Sequence, residues 1–327
     1  MVEILVLGEL AGGRLEPTTR EMVAAAKGLG GEVGVALLGE GLDDVALEAI
    51  ALGADKVFLA QDALLAQPTE VDAHVTAFEQ VCRQTDPKVV MVGKTELGRD
   101  LGPRVAFRLG VGLAQDCVEV RLHTDTGRVV AVRPVYGGNA LATVTFGEAD
   151  PQFVVLRGKV YEEPVPDPSR TGEVVPIELE LDSSVVRTRH VETVRSESQG
   201  VRLEDASIVV TGGRGLGGPE GFEVLEQLAG LLGGAVGASR AACDAGWVGH
   251  GLQVGLTGKT VTPDLYIAVG VSGASQHMAG CSGAKRVVVI NRDAEANMFR
   301  EATYGVADDW QKVLPSFIET VRELINS

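Results

Sequence analysis

Residues 206 to 232 leave few folds open. Ala206-Ser-Ile-Val-Val-Thr211 reads as a short buried strand, and in the run Gly212 to Gly218 only Arg214 and Leu216 are not glycine. From Pro219 onward, Phe222, Leu225, Leu228 and Leu232 recur at the spacing of one helix face. Strand, glycine turn and helix in that order make a unit that aims backbone N–H groups at a phosphate. Gly213, Gly215 and Gly218 also match G-x-G-x-x-G, the dinucleotide fingerprint. With 42 glycines in 327 residues, that match is weak by itself.

The next strand narrows the ligand. In an NAD site the second strand ends in a carboxylate that binds the ribose hydroxyls. Here Gly234 to Ala238 ends in Ser239-Arg240, which suits a phosphate or a ring able to accept negative charge. Further polar clusters follow at Thr257-Gly258-Lys259, at Ser272 to His277 and at Asn291-Arg292-Asp293. The last two come after apolar runs, Leu265 to Val271 and Arg286 to Ile290. Open α/β sheets bind ligands at the carboxyl ends of their strands. The pattern therefore predicts one large cofactor held by several strand ends.

The first half of the chain alternates strand and helix. Strands are expected at Glu3 to Gly8, Glu32 to Leu38, Lys56 to Ala60 and Lys88 to Val92. The helices between and after them are a first one capped by Thr18-Thr19 with Glu21, then Asp43 to Ala51, Thr69 or Glu70 to about Gln84, and Arg99 to Leu109. After Gly110 the period changes to two. Asp116 to His123, Arg128 to Val135, Ala140 to Phe146 and Gln152 to Gly158 read as an antiparallel addition. Glu162 to Arg170, with three prolines, reads as a stiff connector, and Ile177 to Val194 is strand-like again. The polar stretch Lys94 to Asp100 reads as a capped, exposed helix start.

The expected class is α/β in two domains. Residues 1–200 form an N-terminal α/β domain with a mostly parallel sheet plus an antiparallel extension. Residues 201–327 form a Rossmann-like cofactor domain. It closes with an amphipathic helix, Gln311 to Ile325, whose core face carries Val313, Phe317, Val321 and Leu324. A hinge is expected around Glu197 to Asp205.

Charge and cysteine usage exclude several classes. A formal net charge of −16 weighs against nucleic acid as a main partner. The four cysteines are scattered without a C-x-x-C, which argues for reduced thiols and against an iron–sulfur cluster or zinc. No apolar run approaches the ~18 residues of a membrane span. The opening Met-Val-Glu-Ile-Leu-Val-Leu reads as a strand rather than a signal peptide, so a cytoplasmic location is expected. There is no H-E-x-x-H, no G-x-S-x-G and no complete lysine P-loop.

The segments Gly-Gly-Arg214-Gly-Leu, Gly-Ala-Ser239-Arg240-Ala-Ala, Gln253-Val-Gly-Leu-Thr257-Gly-Lys and Ala268-Val-Gly-Val-Ser272-Gly-Ala-Ser-Gln276-His277 resemble the alpha subunit of electron transfer flavoprotein. Ile290-Asn291-Arg-Asp-Ala-Glu-Ala and Tyr304-Gly-Val-Ala-Asp-Asp309 extend the resemblance, which runs the length of the chain. It implies bound FAD. Arg214 would clamp the pyrophosphate, Ser239 would lie near it, and Arg240 over the isoalloxazine ring. Gln253, Val254, Gly255, Leu256, Thr257 and Gly258 would form a loop at the ring, with Thr257 near N5. Many relatives have glutamine where this chain has Leu256. Ser272 and Gly273, read as the end of a strand and the start of a helix, would cradle phosphate, with Ala274, Ser275 and Gln276 in the same cofactor-binding set. His277 would sit at the O2 and N1 edge as a protonated or donor imidazole. Asn291 and Asp309 would meet the adenosine half, with Asp293 and Trp310 in the same cofactor-binding set.

The resemblance further implies an electron carrier rather than an enzyme, in a heterodimer with a beta subunit that carries AMP and packs on the N-terminal half. Acyl-CoA and other dehydrogenases would supply electrons, and a membrane electron transfer flavoprotein–quinone oxidoreductase would take them. A bifurcating form using NADH, an NAD(P)-linked oxidoreductase subunit and a non-redox binding module are the alternatives left open.

Overall fold

The structure, a computed structural model, describes residues 3–66, 71–136, 140–188, 191–192 and 201–325. The chain forms two compact units, Met1–Pro134 with Leu141–Thr193, and Val135–Ala140 with Val194–Ser327. The start of the third expected helix at Thr69 or Glu70, His190, and the Glu197 to Gly200 part of the expected hinge lie outside the described residues.

Short apolar runs become the strands of the first unit. They are β1 (Ile4–Gly8), the small hairpin β2 (Leu10–Ala11) and β3 (Arg14–Leu15), β4 (Val33–Gly39), β5 (Lys56–Gln61), β6 (Val89–Gly93), β7 (Leu113–Cys117), β8 (Glu119–Leu122), β9 (Val129–Val135), β10 (Ala140–Thr145), β11 (Gln152–Leu156) and β12 (Glu173–Ile177). Helices α1 (Pro17–Leu29), α2 (Asp43–Leu52), α3 (Val71–Thr85) and α4 (Glu96–Leu109) alternate with the early strands. Seven strands form one sheet in the order β12-β5-β4-β1-β6-β11-β7, and every pair in it is parallel. Burial on both faces explains why these strands are continuous apolar runs. In β1, Ile4 and Val6 join the core under α1 and α2, while Leu5 and Leu7 join the core under α3 and α4.

Three expectations for this unit are corrected. Gln152–Leu156 is a central parallel strand between β6 and β7, so among the described residues the antiparallel extension consists of β8, β9 and β10. All five residues of β11 are buried, so the run has no solvent face to alternate with. The last strand lies at Glu173–Ile177 and pairs with β5, rather than beginning at Ile177. The first helix opens with Pro17 at its first turn and has no side-chain cap. Thr19 instead accepts the Glu9 N–H at 2.9 Å, and Glu21 turns inward to accept the Val160 N–H at 3.1 Å.

The stretch Lys94 to Asp100 starts α4 as expected. Thr95 Oγ1 accepts the Gly98 N–H at 2.9 Å. Lys94 pairs with Asp116 at 2.7 Å, and Arg157 grips the same carboxylate at 2.8 Å, so this cluster satisfies itself. Pro103 lies inside α4, which runs through it.

The second unit holds β13 (Ile208–Gly212), α5 (Glu220–Leu232), β14 (Ala235–Ala238), α6 (Arg240–Asp244), β15 (Leu265–Val269), α7 (Ser275–Cys281), β16 (Val287–Ile290), β17 (Tyr304–Val306) and α8 (Trp310–Ile325). Its five strands are all parallel, in the order β14-β13-β15-β16-β17. This is a doubly wound sheet whose strand order reverses between β13 and β15, the place where such sheets hold ligands. Helices α5 and α8 cover one face, and α7 with residues 254, 261 and 298 covers the other. The core face of α8 is centred on Leu314 and Ile318, with Val313 and Phe317 beside them. Leu324, which its spacing assigns to that face, is 70% exposed instead. No helix among the described residues is long and apolar enough to cross a membrane.

Candidate functional site

The carboxyl ends of β13 and β15 meet through glycine. Gly213 N–H donates to the Val269 carbonyl at 2.9 Å, and Gly215 N–H donates to the Gly270 carbonyl at 2.9 Å. A Cβ on Gly213 would overlap the Gly270 carbonyl, and one on Gly215 would lie 2.8 Å from Gly270 Cα. The first two fingerprint glycines therefore let two backbones touch. The third does not act as the fingerprint requires. A Cβ on Gly218 would meet only the flexible end of Glu220, and Gly221 is the glycine that packs under Leu216.

Both arginines predicted for the site stand free of the core. Arg214 opens a short 3₁₀ turn, Arg214–Leu216, directly after β13 and is exposed. Ser239 caps the start of α6, yet its hydroxyl makes no capping bond and its buried Oγ has no protein partner among the described residues. Arg240 follows and pairs with Asp244 at 3.3 Å, the expected orienting contact. With side-chain exposures of 67% and 53%, that pair adds little to stability.

The loop from Gln253 to Lys259 is braced on both sides. Val254 N–H donates to the Ala238 carbonyl at 2.9 Å, and Leu256 N–H to the Gln276 carbonyl at 2.7 Å. Gln253 is buried and bonds Thr257 Oγ1 at 2.9 Å. Thr257, Gly258 and Leu256 are exposed, Leu256 by 63%. Lys259 pairs with Glu204 at 2.9 Å, so its partner is a carboxylate.

After β15 the chain turns through Ser272, Gly273 and Ala274 before α7 begins at Ser275, later than the sequence suggests. Gly273, at φ +76°, lies against the Met298 backbone, where a Cβ would collide. Ser272, Ala274, Ser275 and Gln276 are exposed, while His277 is buried. His277 Nε2 lies 2.8 Å from Tyr266 Oη, and its buried Nδ1 has no hydrogen-bond partner among the described residues. Burial pushes the imidazole pKa down to about 4. In the ligand-free chain this favours the neutral ring at pH 7.

Asn291 is buried and works inside the protein. Its Nδ2 donates to the Val271 carbonyl at 3.0 Å and its Oδ1 accepts the Asp293 N–H at 3.1 Å, tying the ends of β15 and β16. Asp293 Oδ1 accepts the Glu295 N–H, and Asp309 Oδ1 accepts the Gln311 N–H at the start of α8. Asp309 and half-buried Trp310 join Gly215, Gly270, Ile290, Asn291 and Arg292 around a small pocket beyond the ends of β13, β15 and β16. Asn291→Ala is expected to cost the ligand-free protein about 2 kcal/mol, because the Val271 carbonyl loses its buried donor. Urea unfolding measures this. Unchanged stability with weakened ligand binding would assign the amide to the ligand instead.

The structure thus brings Arg214, Gly270, Ser272, Asn291 and Asp309 to the ends of adjacent strands, with Ser239-Arg240 at the end of β14. Two orphaned buried atoms, Ser239 Oγ and His277 Nδ1, belong to residues predicted for the site. Unpaired buried polar atoms carry a free-energy penalty, which a ligand's oxygens and nitrogens would remove. Two cations, glycine-lined backbone and two orphaned donors fit FAD, which carries a diphosphate and a heteroaromatic ring rich in acceptors. Sequence reasoning missed Tyr266 and Gly270. Tyr266 looks like one more core residue in an apolar run, and the lone phenol in that run is the only local sign.

Comparison with known proteins agrees with this arrangement. Residues 4–182 match the family described as "Electron transfer flavoprotein domain", and residues 202–282 match "Electron transfer flavoprotein FAD-binding domain". The chain is similar to electron transfer flavoprotein subunit alpha of Bacillus subtilis (strain 168), 42% identical over 98% of each chain. It is 40% identical to subunit alpha of Megasphaera elsdenii, over 98% of this chain and 96% of that one. It is 38% identical to subunit alpha of Thermoanaerobacterium thermosaccharolyticum, over 98% of each.

Proposed function

The chain belongs to the electron transfer flavoprotein alpha-subunit family, with an FAD-binding, electron-carrying role, and from that we propose that its second unit grips FAD at the β13/β15 switch point within a heterodimer. The observation that carries this reading is the pair of orphaned buried atoms, Ser239 Oγ and His277 Nδ1, on segments that follow β14 and β15, with exposed Arg214 and Arg240 following β13 and β14.

FAD, when bound, supplies the redox chemistry, taking and releasing electrons singly. The chain supplies position and field. The Arg214 guanidinium is suited to pair with the diphosphate, its fork matching two oxygens at once. Ser239 Oγ–H is free to donate to the same group. Arg240, held by Asp244, provides positive charge that favours negative charge on the ring. Thr257 is fixed by Gln253 and presents its hydroxyl at an exposed loop. His277 stays neutral and donates through Nδ1. Asn291 acts mainly by holding the ends of β15 and β16 together, while Asp293, Asp309 and Trp310 shape the far end of the cradle.

The partner subunit is a beta subunit that carries AMP. Acyl-CoA and other dehydrogenases are the donors, and a membrane quinone oxidoreductase is the acceptor. An NAD-linked alternative is disfavoured because β14 ends in Ser239-Arg240 where an NAD site needs a carboxylate, and the absence of nicotinamide turnover by the flavin-loaded complex would exclude the NADP-linked one. The bifurcating form differs by a second flavin in the partner. Purification of the coexpressed heterodimer and a flavin count test the proposal. One FAD per heterodimer, reduced by an acyl-CoA dehydrogenase and not by NADH, is the expected result. Two flavins with NADH reduction select the bifurcating form, and a colourless complex that takes up no FAD removes the reading.

A further inference from the structure

His277 is held by a residue that no sequence motif marks. Tyr266, on β15, is fully buried, and its hydroxyl lies 2.8 Å from His277 Nε2 with the rings tilted by 55°. The phenol has two other polar neighbours, the Thr211 hydroxyl and the Cys281 thiol. Both are poorer acceptors than an imidazole lone pair, and the thiol already points to the His277 carbonyl at 3.6 Å. The phenol therefore donates to Nε2. A neutral imidazole that accepts at Nε2 carries its proton on Nδ1. Nδ1 is buried and makes no well-aligned hydrogen bond, although the Val254 carbonyl lies close enough to the imidazole to favour a proton on it.

We propose that Tyr266 is a positioning residue of the cofactor site, whose hydroxyl locks His277 in the Nδ1–H tautomer and so leaves Nδ1–H to donate to an acceptor on the ligand ring. The inference rests on the FAD reading for the identity of the acceptor. The Tyr266–His277 lock itself does not depend on it. A second feature supports the lock. His277 is on a helix of seven residues, too short to hold the ring by itself, whereas Tyr266 is in the middle of the sheet, paired with Val209 and Val287 on either side. The rigid element thus orients the side chain of the less rigid one.

Tyr266→Phe in the flavin-loaded heterodimer tests this, since it removes one oxygen and keeps the ring that fills the core. Nitrogen-15 labelling of histidine reports each ring's tautomer, and His277→Gln identifies the His277 signals by their loss. The wild-type complex is expected to show His277 as Nδ1–H, and Tyr266→Phe to show a mixture of tautomers. The FAD dissociation constant should rise by about tenfold, the loss of one buried hydrogen bond, and the flavin potential should fall. Adding Tyr266→Phe to His277→Gln should then change FAD affinity no further. A wild-type Nε2–H tautomer, or a Tyr266→Phe variant with unaltered tautomer and FAD affinity, overturns the assignment. A wild-type complex that binds no flavin sinks the FAD reading, while the tautomer and its response to Tyr266→Phe still decide the lock.

Discussion

Gly213→Ala is expected to empty the cofactor site. The new methyl overlaps the Gly270 carbonyl and crowds Val271 Cα. Both are backbone atoms, so no rotamer change relieves the clash, and β13 and β15 must move apart. The Gly213 and Gly215 hydrogen bonds to Val269 and Gly270 break with that movement. Overpacking of side chains costs about 1–3 kcal/mol, and a backbone clash belongs at or above the top of that range. The coexpressed complex should purify without flavin absorbance, and the second unit should unfold at lower urea. Trp247 and Trp310 are the chain's two tryptophans and both lie in this unit, so within this chain tryptophan fluorescence comes from the second unit. Gly218→Ala is the matched control. It completes the same fingerprint in sequence, yet its methyl meets only the flexible Glu220 carboxylate. Retained flavin in Gly218→Ala and lost flavin in Gly213→Ala is the expected contrast. Equal behaviour of the two would mean that the strand contact does not build the site.

Glu9→Gln is expected to stabilise the first unit at neutral and alkaline pH. Glu9 follows β1 at the carboxyl edge of the sheet, and its carboxylate accepts Thr95 Oγ1 at 2.7 Å. Burial raises its pKa from 4.5 to about 7, against the opposing hydrogen bond from Thr95 and with some help from Glu16. A raised carboxyl pKa means that the folded protein holds a proton that the unfolded chain has already lost. Stability from this group is therefore full below pH 4.5 and is lost as pH rises to about 7. The span corresponds to about 3 kcal/mol. Glutamine keeps the acceptor oxygen and carries no charge, so the variant should gain most of that amount at pH 8 and lose this pH dependence. Hydrogen exchange of the β1 and β6 amides reads the first unit directly. An unchanged pH profile would show that Glu9 is charged in the folded state. His277 has the opposite sign. Its depressed pKa makes the second unit lose stability as pH falls from 6.5 through about 4, so the two units should respond to acid differently.

Local signals were sufficient where the chemistry is local. The Gly212 to Gly218 turn, the Arg240–Asp244 pair four residues apart and the start of α4 at Thr95 all depend on near neighbours in the chain. The apolar period placed most strands within a residue or two. It failed at Gln152–Leu156, because a strand buried on both faces carries no record of which neighbours it pairs with or in which direction. It failed again at Glu21, where a helix-start pattern was outcompeted by a backbone N–H from Val160, far along the chain.

The amino-acid sequence by itself determined that the second unit would be a parallel sheet with a glycine turn after its first strand, arginines after its first two, and one large cofactor at its edge, which the family resemblance implied to be FAD. Those features follow from residue type and spacing over a few turns of chain. Only the tertiary structure decided that Gly213 and Gly215 close on Gly270, that Asn291 ties two strand ends, and that Tyr266 holds a neutral His277. Each of these joins elements brought together by sheet order, and burial then sets the charge state. Neither sheet order nor burial is written in the local pattern of any one segment.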